Sequence, residues 1–165
     1  YFGTFGYELD LNLLSDAEIE TVKKQIAFMK EHRELIQMDG DFYRLLSPFE
    51  GNETAWMVVS SDKTQAVAAF YQRLNKVNAS WLRLKLDGLD ANTKYEVSCD
   101  MAPVTSYDAK IAEAYGHKTD EDSVKTYQAY GDELMSAGIP IDREELNKKG
   151  GDFASLLYTL KKVDE

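Results

Sequence analysis

The sequence predicts a mainly β chain: an antiparallel β-sandwich preceded by one short strand and one long amphipathic helix. Three observations lead there. Apolar residues recur at helical spacing between Ser15 and Gln37. The period switches to two at Asp39-Gly40, and short alternating runs then follow at roughly ten-residue intervals with turn residues between them.

Residues 1–14, YFGTFGYELDLNLL, set aromatic and glycine residues in near alternation, which suits a buried strand from Phe2 to Glu8 followed by a loop. Gly3 and Gly6 are unusual inside a strand and suggest close approach by another backbone or by a ligand. Ser15-Asp16-Ala17-Glu18 is a helix start, because the Ser15 hydroxyl can accept from the amide of residue 18 while Glu18 reaches back to the amide of Ser15. Asp16, Glu18 and Glu20 sit near the positive end of the helix dipole. Ile19, Val22, Ile26, Met29 and Ile36 fall on one stripe, opposite Lys23, Lys24, Lys30, Glu31 and Glu34. The spacing predicts a helix of about six turns ending near Gln37, stopped by Asp39-Gly40-Asp41.

Strands are expected at 42–46, 55–60, 65–74, 81–86, 93–98 and 153–161. In WLRLKL, Leu82, Leu84 and Leu86 point one way and Arg83 and Lys85 the other, so one face is buried and one is wet. Residues 100–128 are polar and break the pattern. They read as an insert between two strands, with a short helix at Tyr107–Tyr115. A helical turn is expected at Asp142–Asn147, before Gly150-Gly151.

Composition narrows the function classes. The chain of 165 residues suits one domain; its apolar fraction of 44% and aromatic fraction of 12% can fill a core. A formal charge of −10 argues against nucleic acid, where affinity comes from Lys and Arg on phosphates, and against an anionic membrane surface. The apolar runs are too short for a transmembrane helix. Cys99 is the single cysteine, so no intrachain disulfide is possible and a reducing compartment is comfortable; it reads as a packed thiol at the end of a strand. The first residue, Tyr1, already lies inside a strand pattern, which suits a segment cut from a longer protein.

Candidate chemistry is sparse. His32 and His117 have no second ligand at metal spacing, so neither a metal nor another cofactor is expected. Gly131-Asp132-Glu133 reads as a turn into Leu134-Met135, and Gly150-Gly151 as a turn before a strand. Glu8 and Asp10 share a side of an extended segment and both leave the strand end, which is poor placement for a catalytic pair. Trp56 and Trp81 read either as core aromatics or as a sugar-stacking platform.

Three segments carry a resemblance: GTFGYELDL at 3–11; QIAFMKEHRELIQMDGDFYRLLSPFEGNETAWMVVSSDK at 25–63; and YGDELMSAGI at 130–139 with GDFASLLYTL at 151–160. In this order they resemble the C-terminal region of the family 36 glycoside hydrolases, the bacterial α-galactosidases. The central segment, DFYRLLSPFEGN followed by AWMVVS, is the specific part, and residues 100–128 depart from the family's shorter connection.

The resemblance implies a two-part chain. Residues 1–38 would be the last strand and helix of a catalytic (β/α)₈ barrel, and 39–165 the C-terminal β-sandwich of the glycosidase, with the insert at about 100–128. The intact enzyme would hydrolyse terminal α-galactosides such as melibiose or raffinose with retention, which needs two carboxylates about 5 Å apart. The family places both on earlier barrel strands. Neither of its motifs around those aspartates occurs here, so no catalytic residue is expected in this chain, and the segment alone is expected to be inactive. Phe5, Gly6 and Tyr7, at the end of the last barrel strand, are the candidate substrate-binding residues. On one reading they form the rim of the galactose pocket; on the other, Gly6 only permits barrel packing while Phe5 and Tyr7 face helices.

The remaining partners implied are the rest of the barrel, an α-galactoside and further copies of the enzyme, in a bacterial cytoplasm. The alternative is a non-catalytic carbohydrate-binding sandwich, which would show Trp56, Trp81 or Tyr158 exposed in a row. With the barrel neighbours removed, the stripe of Ile19, Val22, Ile26 and Met29 is expected to find a second copy or to fold back on the sandwich.

Overall fold

A computed structural model describes residues 1–76, 82–100, 125–141, 146 and 152–164. The expectations for the helix at 107–115, for His117, for Trp81 and for most of 142–147 lie outside the described residues.

Residues 1–10 run extended to a 3₁₀ turn at Leu11–Leu13, then α1 spans Asp16–Glu34 and closes in a π-helical turn at Leu35–Asp39. The strands are β1 Asp41–Leu46, β2 Glu53–Val59, β3 Gln65–Gln72, β4 Arg83–Leu84, β5 Lys94–Asp100 and β6 Lys125–Tyr130; after helix α2 (Gly131–Ser136) come β7 Ile139–Pro140 and β8 Ala154–Lys162. Six of the strands form one antiparallel sheet in the order β1-β2-β3-β8-β5-β6, while β4 and β7 pair in a second layer.

The core lies between these layers. Met57 of β2, Phe70 of β3, Tyr95 and Val97 of β5, and Leu156 and Leu160 of β8 face Leu84, Leu86, Leu134 and Ile139 from the second layer. Leu84 and Leu86 are buried and Arg83 and Lys85 exposed, as the alternation requires, although only Arg83–Leu84 of the expected 81–86 strand pairs in a ladder. Small residues alternate with large ones across the sheet: Ala68 sits between Met57 and Tyr158 in register, letting those side chains share the interior.

β3 is buried on both faces because the outer face of the sheet is covered too. Leu35 and Ile36 from the end of the helix pack on Val58 and Val67, with Tyr1, Phe2, Phe28 and Leu157 around them. Each fully buried aliphatic side chain stabilises the fold by about 1.5–3 kcal/mol, so this second cluster is a substantial joint. Gly40, leaving the π turn, fits beneath it: a Cβ there would overlap Val58 Cγ1 and the carbonyl oxygen of Leu35. An exposed ion pair, Lys161 Nζ to Glu31 Oε1 at 3.5 Å, spans the same two elements and adds little.

The Ser15–Glu18 capping box is formed, with the Ser15 amide donating to Glu18 Oε2 at 2.8 Å and the Glu18 amide to Ser15 Oγ at 3.4 Å. Along the predicted stripe, Met29 and Ile36 are buried and Ile19, Val22 and Ile26 half-buried. The helix has therefore folded back on the sheet at its C-terminal end.

Two expectations need correction. Residues 2–8 form no strand: they pair with no strand among the described residues, and an extended segment without a neighbouring strand has no ladder to join. And β6 begins at Lys125, inside the stretch read as an insert, since Thr126, Gln128 and Tyr130 alternate with Tyr127 and Ala129 opposite β5.

Candidate functional site

Without ladder bonds, residues 1–10 are positioned by side chains. Gln37 Nε2 donates to the carbonyl oxygen of Gly3 at 2.6 Å, and the Tyr7 hydroxyl donates to Gln25 Oε1 on α1. Between these ties the aromatic rings form a chain of contacts. Tyr1 stacks on Phe5 with centroids 5.4 Å apart and planes at 13°, and Phe5 meets Tyr7 edge to face at 5.4 Å. Tyr1 also touches Phe28 of α1 at 5.0 Å, and Phe28 stacks on His32 at 4.2 Å. Such pairs contribute about 0.5–1.5 kcal/mol each beyond their buried area.

The predicted site residues Phe5, Gly6 and Tyr7 therefore stand together at one end of this segment. Phe5 is half-buried, Gly6 open and Tyr7 40% exposed. A Cβ added at Gly3 or Gly6 would meet nothing within 4 Å, so the close neighbour those glycines suggest is no part of the described chain. Partial burial pushes the Tyr7 hydroxyl above its ordinary pKa.

Beside this segment runs a groove of about 680 Å³, walled on one side by Phe2, Gly3 and Phe5 and on the other by Ile26, Lys30 and Arg33 of α1. Its lining mixes apolar surface with two cations. Among the described residues no acidic side chain lines it, so they offer packing surface and charge rather than an acid–base pair.

The other candidates resolve into structure. Asp10 caps the 3₁₀ turn, its Oδ1 accepting from the amide of Asn12 at 3.0 Å and from Asn12 Nδ2 at 2.9 Å, and both Glu8 and Asp10 are exposed. His32 is buried and its Nδ1 donates to the carbonyl oxygen of Phe28 at 3.0 Å. Among the described residues no three His, Cys, Asp or Glu side chains gather as a metal site. No helix among them is long and apolar enough to cross a membrane. Cys99 is half-buried against the core.

Gly131 lies where a Cβ would overlap the carbonyl oxygen of Asp90, so it is a packing glycine at the start of α2. Tyr158 is buried, and Trp56 lies half-buried between Tyr71 at 4.9 Å and Phe2 at 6.0 Å, so neither belongs to an exposed row of sugar-stacking rings. The contact between Trp56 and Phe2 was invisible in the sequence. Its only signal is that both residues are aromatic and that Trp56 falls on the opposite face of β2 from Ala55 and Met57.

Two family models match the chain in succession: Melibiase over residues 1–39 and the glycosyl hydrolase family 36 C-terminal domain over residues 53–160. The chain is 40% identical over 163 residues to α-galactosidase AgaA of Geobacillus stearothermophilus, covering 99% of this chain and 18% of that protein. It is 32% identical to α-galactosidase Mel36A of Lactobacillus acidophilus, with 99% and 18% covered. The crystal structure of AgaA A355E D548N in complex with raffinose superposes with a TM-score of 0.74 at 38% identity, over 98% of this chain and 18% of that one. The α-galactosidase structure from Lactobacillus brevis gives 0.72 at 37% identity, over 99% and 19%. The chain thus spans less than a fifth of the length of these relatives.

Proposed function

The chain belongs to glycosyl hydrolase family 36, and on that premise we propose that it is the C-terminal part of a retaining α-galactosidase acting on terminal α-galactosides such as raffinose and melibiose. The observation that carries this reading is the succession of the two family matches along one chain, Melibiase ending at Asp39 and the C-terminal domain beginning at Glu53. Residues 1–38 complete the catalytic barrel, and 39–165 form the sandwich that braces its last helix. The cluster of Leu35, Ile36, Val58 and Val67 is the joint between them.

The catalytic carboxylates lie elsewhere in the intact enzyme. This chain supplies binding surface: Phe5 and Tyr7 shape the rim of the galactose pocket, and Gly6 leaves room there for the sugar or an adjoining backbone. The groove along α1 receives the neighbouring part of the barrel. The intact enzyme works in the cytoplasm as a homo-oligomer.

The test is hydrolysis of an aryl α-galactoside by the purified chain and by the intact enzyme. The chain alone is expected to give no turnover and the intact enzyme to give it. Turnover by the chain, abolished by changing one of its own carboxylates, overturns the reading. A size measurement on the intact enzyme in solution checks the oligomer.

A further inference from the structure

We propose that Trp56, in the sandwich, is a positioning residue for the sugar-pocket rim, acting through Phe2 and Tyr1 on Phe5 and Tyr7. The proposal rests on the assignment of Phe5, Gly6 and Tyr7 to that rim.

Four observations carry it. The start of the segment is seated on the sheet through Phe2, whose ring meets Trp56 and Phe42, and Gln37 and Gln25 tie Gly3 and Tyr7 to the helical stretch beside it. The rings form two sets of contacts joined by the peptide bond between Tyr1 and Phe2. Tyr71 lies 4.9 Å from Trp56, and Trp56 meets Phe2 edge to face at 6.0 Å and 79°. Phe2 also meets Phe42 of β1 at 6.3 Å, and its chain neighbour Tyr1 stacks on Phe5, which meets Tyr7. The path therefore starts on three sheet strands, β1, β2 and β3, and ends at the rim.

The indole of Trp56 has ring neighbours in Phe2 and Tyr71. Its Nε1 is buried, with no hydrogen-bond partner among the described residues. A buried donor left unpaired is a cost, and aliphatic residues would cover the sheet without it. The flat face and edge of the indole supply what an aliphatic side chain does not, a defined orientation for Phe2. Trp56 touches neither Phe5 nor Tyr7 in these contacts, so any effect on the sugar passes through the intervening rings.

The test uses the intact enzyme that carries this chain. kcat and KM for an aryl α-galactoside are measured for Phe5→Ala, Trp56→Ala, Trp56→Phe and Tyr95→Phe, each with its thermal midpoint. Phe5→Ala examines the rim itself: an unchanged KM removes the rim assignment and the positioning role with it. With KM raised in Phe5→Ala, Trp56→Ala is expected to raise KM about tenfold while kcat stays within about twofold, the pattern of lost ground-state binding.

Trp56→Phe keeps a ring against Phe2, loses no hydrogen bond and is expected to restore most of the KM. Tyr95→Phe, in the inner core and away from the ring path, is expected to lower the midpoint and leave KM alone. An unchanged KM in Trp56→Ala overturns the positioning role and leaves the rim standing. A KM in Tyr95→Phe raised as far as in Trp56→Ala also overturns it, since general loosening then explains both. If Trp56→Ala does not fold, Phe2→Leu interrogates the same link: a raised KM supports the role, and an unchanged one overturns it.

Discussion

The hydroxyl of Tyr95 on β5 donates to the carbonyl oxygen of Lys63 at 2.8 Å and accepts from the backbone amide of Asp90 at 3.2 Å. Lys63 sits in a turn with φ of 58°, a backbone region that lysine adopts only when its surroundings hold it there. One buried phenol thus ties the β2–β3 turn to the loop before β5. Tyr95→Phe removes the hydroxyl and leaves both backbone groups short of a partner. It is expected to lower stability by about 1–3 kcal/mol, read from the denaturant midpoint, with the ring packing of the core retained.

Alkaline pH is expected to weaken the fold through the tyrosines. Burial raises the pKa of Tyr71 and of Tyr95, and pushes Tyr127 up to about 12, with Glu133 and Cys99 adding to the rise and Arg83 opposing it. A pKa raised in the folded state favours the protonated form there. The stability it contributes is fully present below the unfolded tyrosine value of about 10 and is lost as pH climbs through the folded value, which for Tyr127 is about 12. A phenolate absorbance titration is expected to show a late step that Tyr127→Phe removes. Thermal midpoints are expected to fall above pH of about 10.

Gly40→Ala is expected to loosen the joint between helix and sheet. Its φ of −82° suits any residue, so the cost is steric: the new methyl overlaps Val58 Cγ1 and the carbonyl oxygen of Leu35. Overpacking of this kind costs about 1–3 kcal/mol. Gly51→Ala is the contrasting case, because its nearest neighbour would be Glu53 Oε2 at 3.7 Å, and it is expected to change stability by no more than about 0.5 kcal/mol. Thermal melts of the two variants separate packing from backbone freedom.

Ser15→Ala removes the helix cap and is expected to cost about 1 kcal/mol near neutral pH. The amide and then the hydroxyl of Ser15 hold the Glu18 carboxyl below its ordinary pKa. A depressed carboxyl stabilises the fold above the unfolded value and loses that contribution as pH falls through the folded one. The gap between Ser15→Ala and the parent chain is therefore expected to narrow in acid, followed by helix circular dichroism.

Local pattern made some elements legible and left others hidden. The capping box of Ser15 and Glu18 and the alternation of Leu82, Leu84 and Leu86 depend on neighbours a few residues away, and both appear as read. The pairing of β8 with both β3 and β5 depends on residues far apart in sequence, and nothing in the FASLLYTLK pattern names its partners. Residues 2–8 show the converse: a strand-like pattern that forms no strand where no flanking strand is available. The candidate residues Phe5, Gly6 and Tyr7 stand out as aromatics beside a glycine, but the contact of Phe2 with Trp56 depends on how the segment lies across the sheet, which single-strand periodicity does not encode.

The central place of β8 bears on how the chain is made. As it leaves the ribosome, β1, β2 and β3 emerge as one antiparallel meander, and β5 with β6 later as a separate hairpin. Each then presents an open edge and half of an apolar interior to solvent until Ala154 and its successors slot between them. Folding must therefore wait on the last strand, a delay of the kind that long-range pairing imposes, and the unfinished chain is a natural client for chaperones. A premature stop or a protease cut upstream of Ala154 would leave not a trimmed protein but two unjoined pieces of sheet.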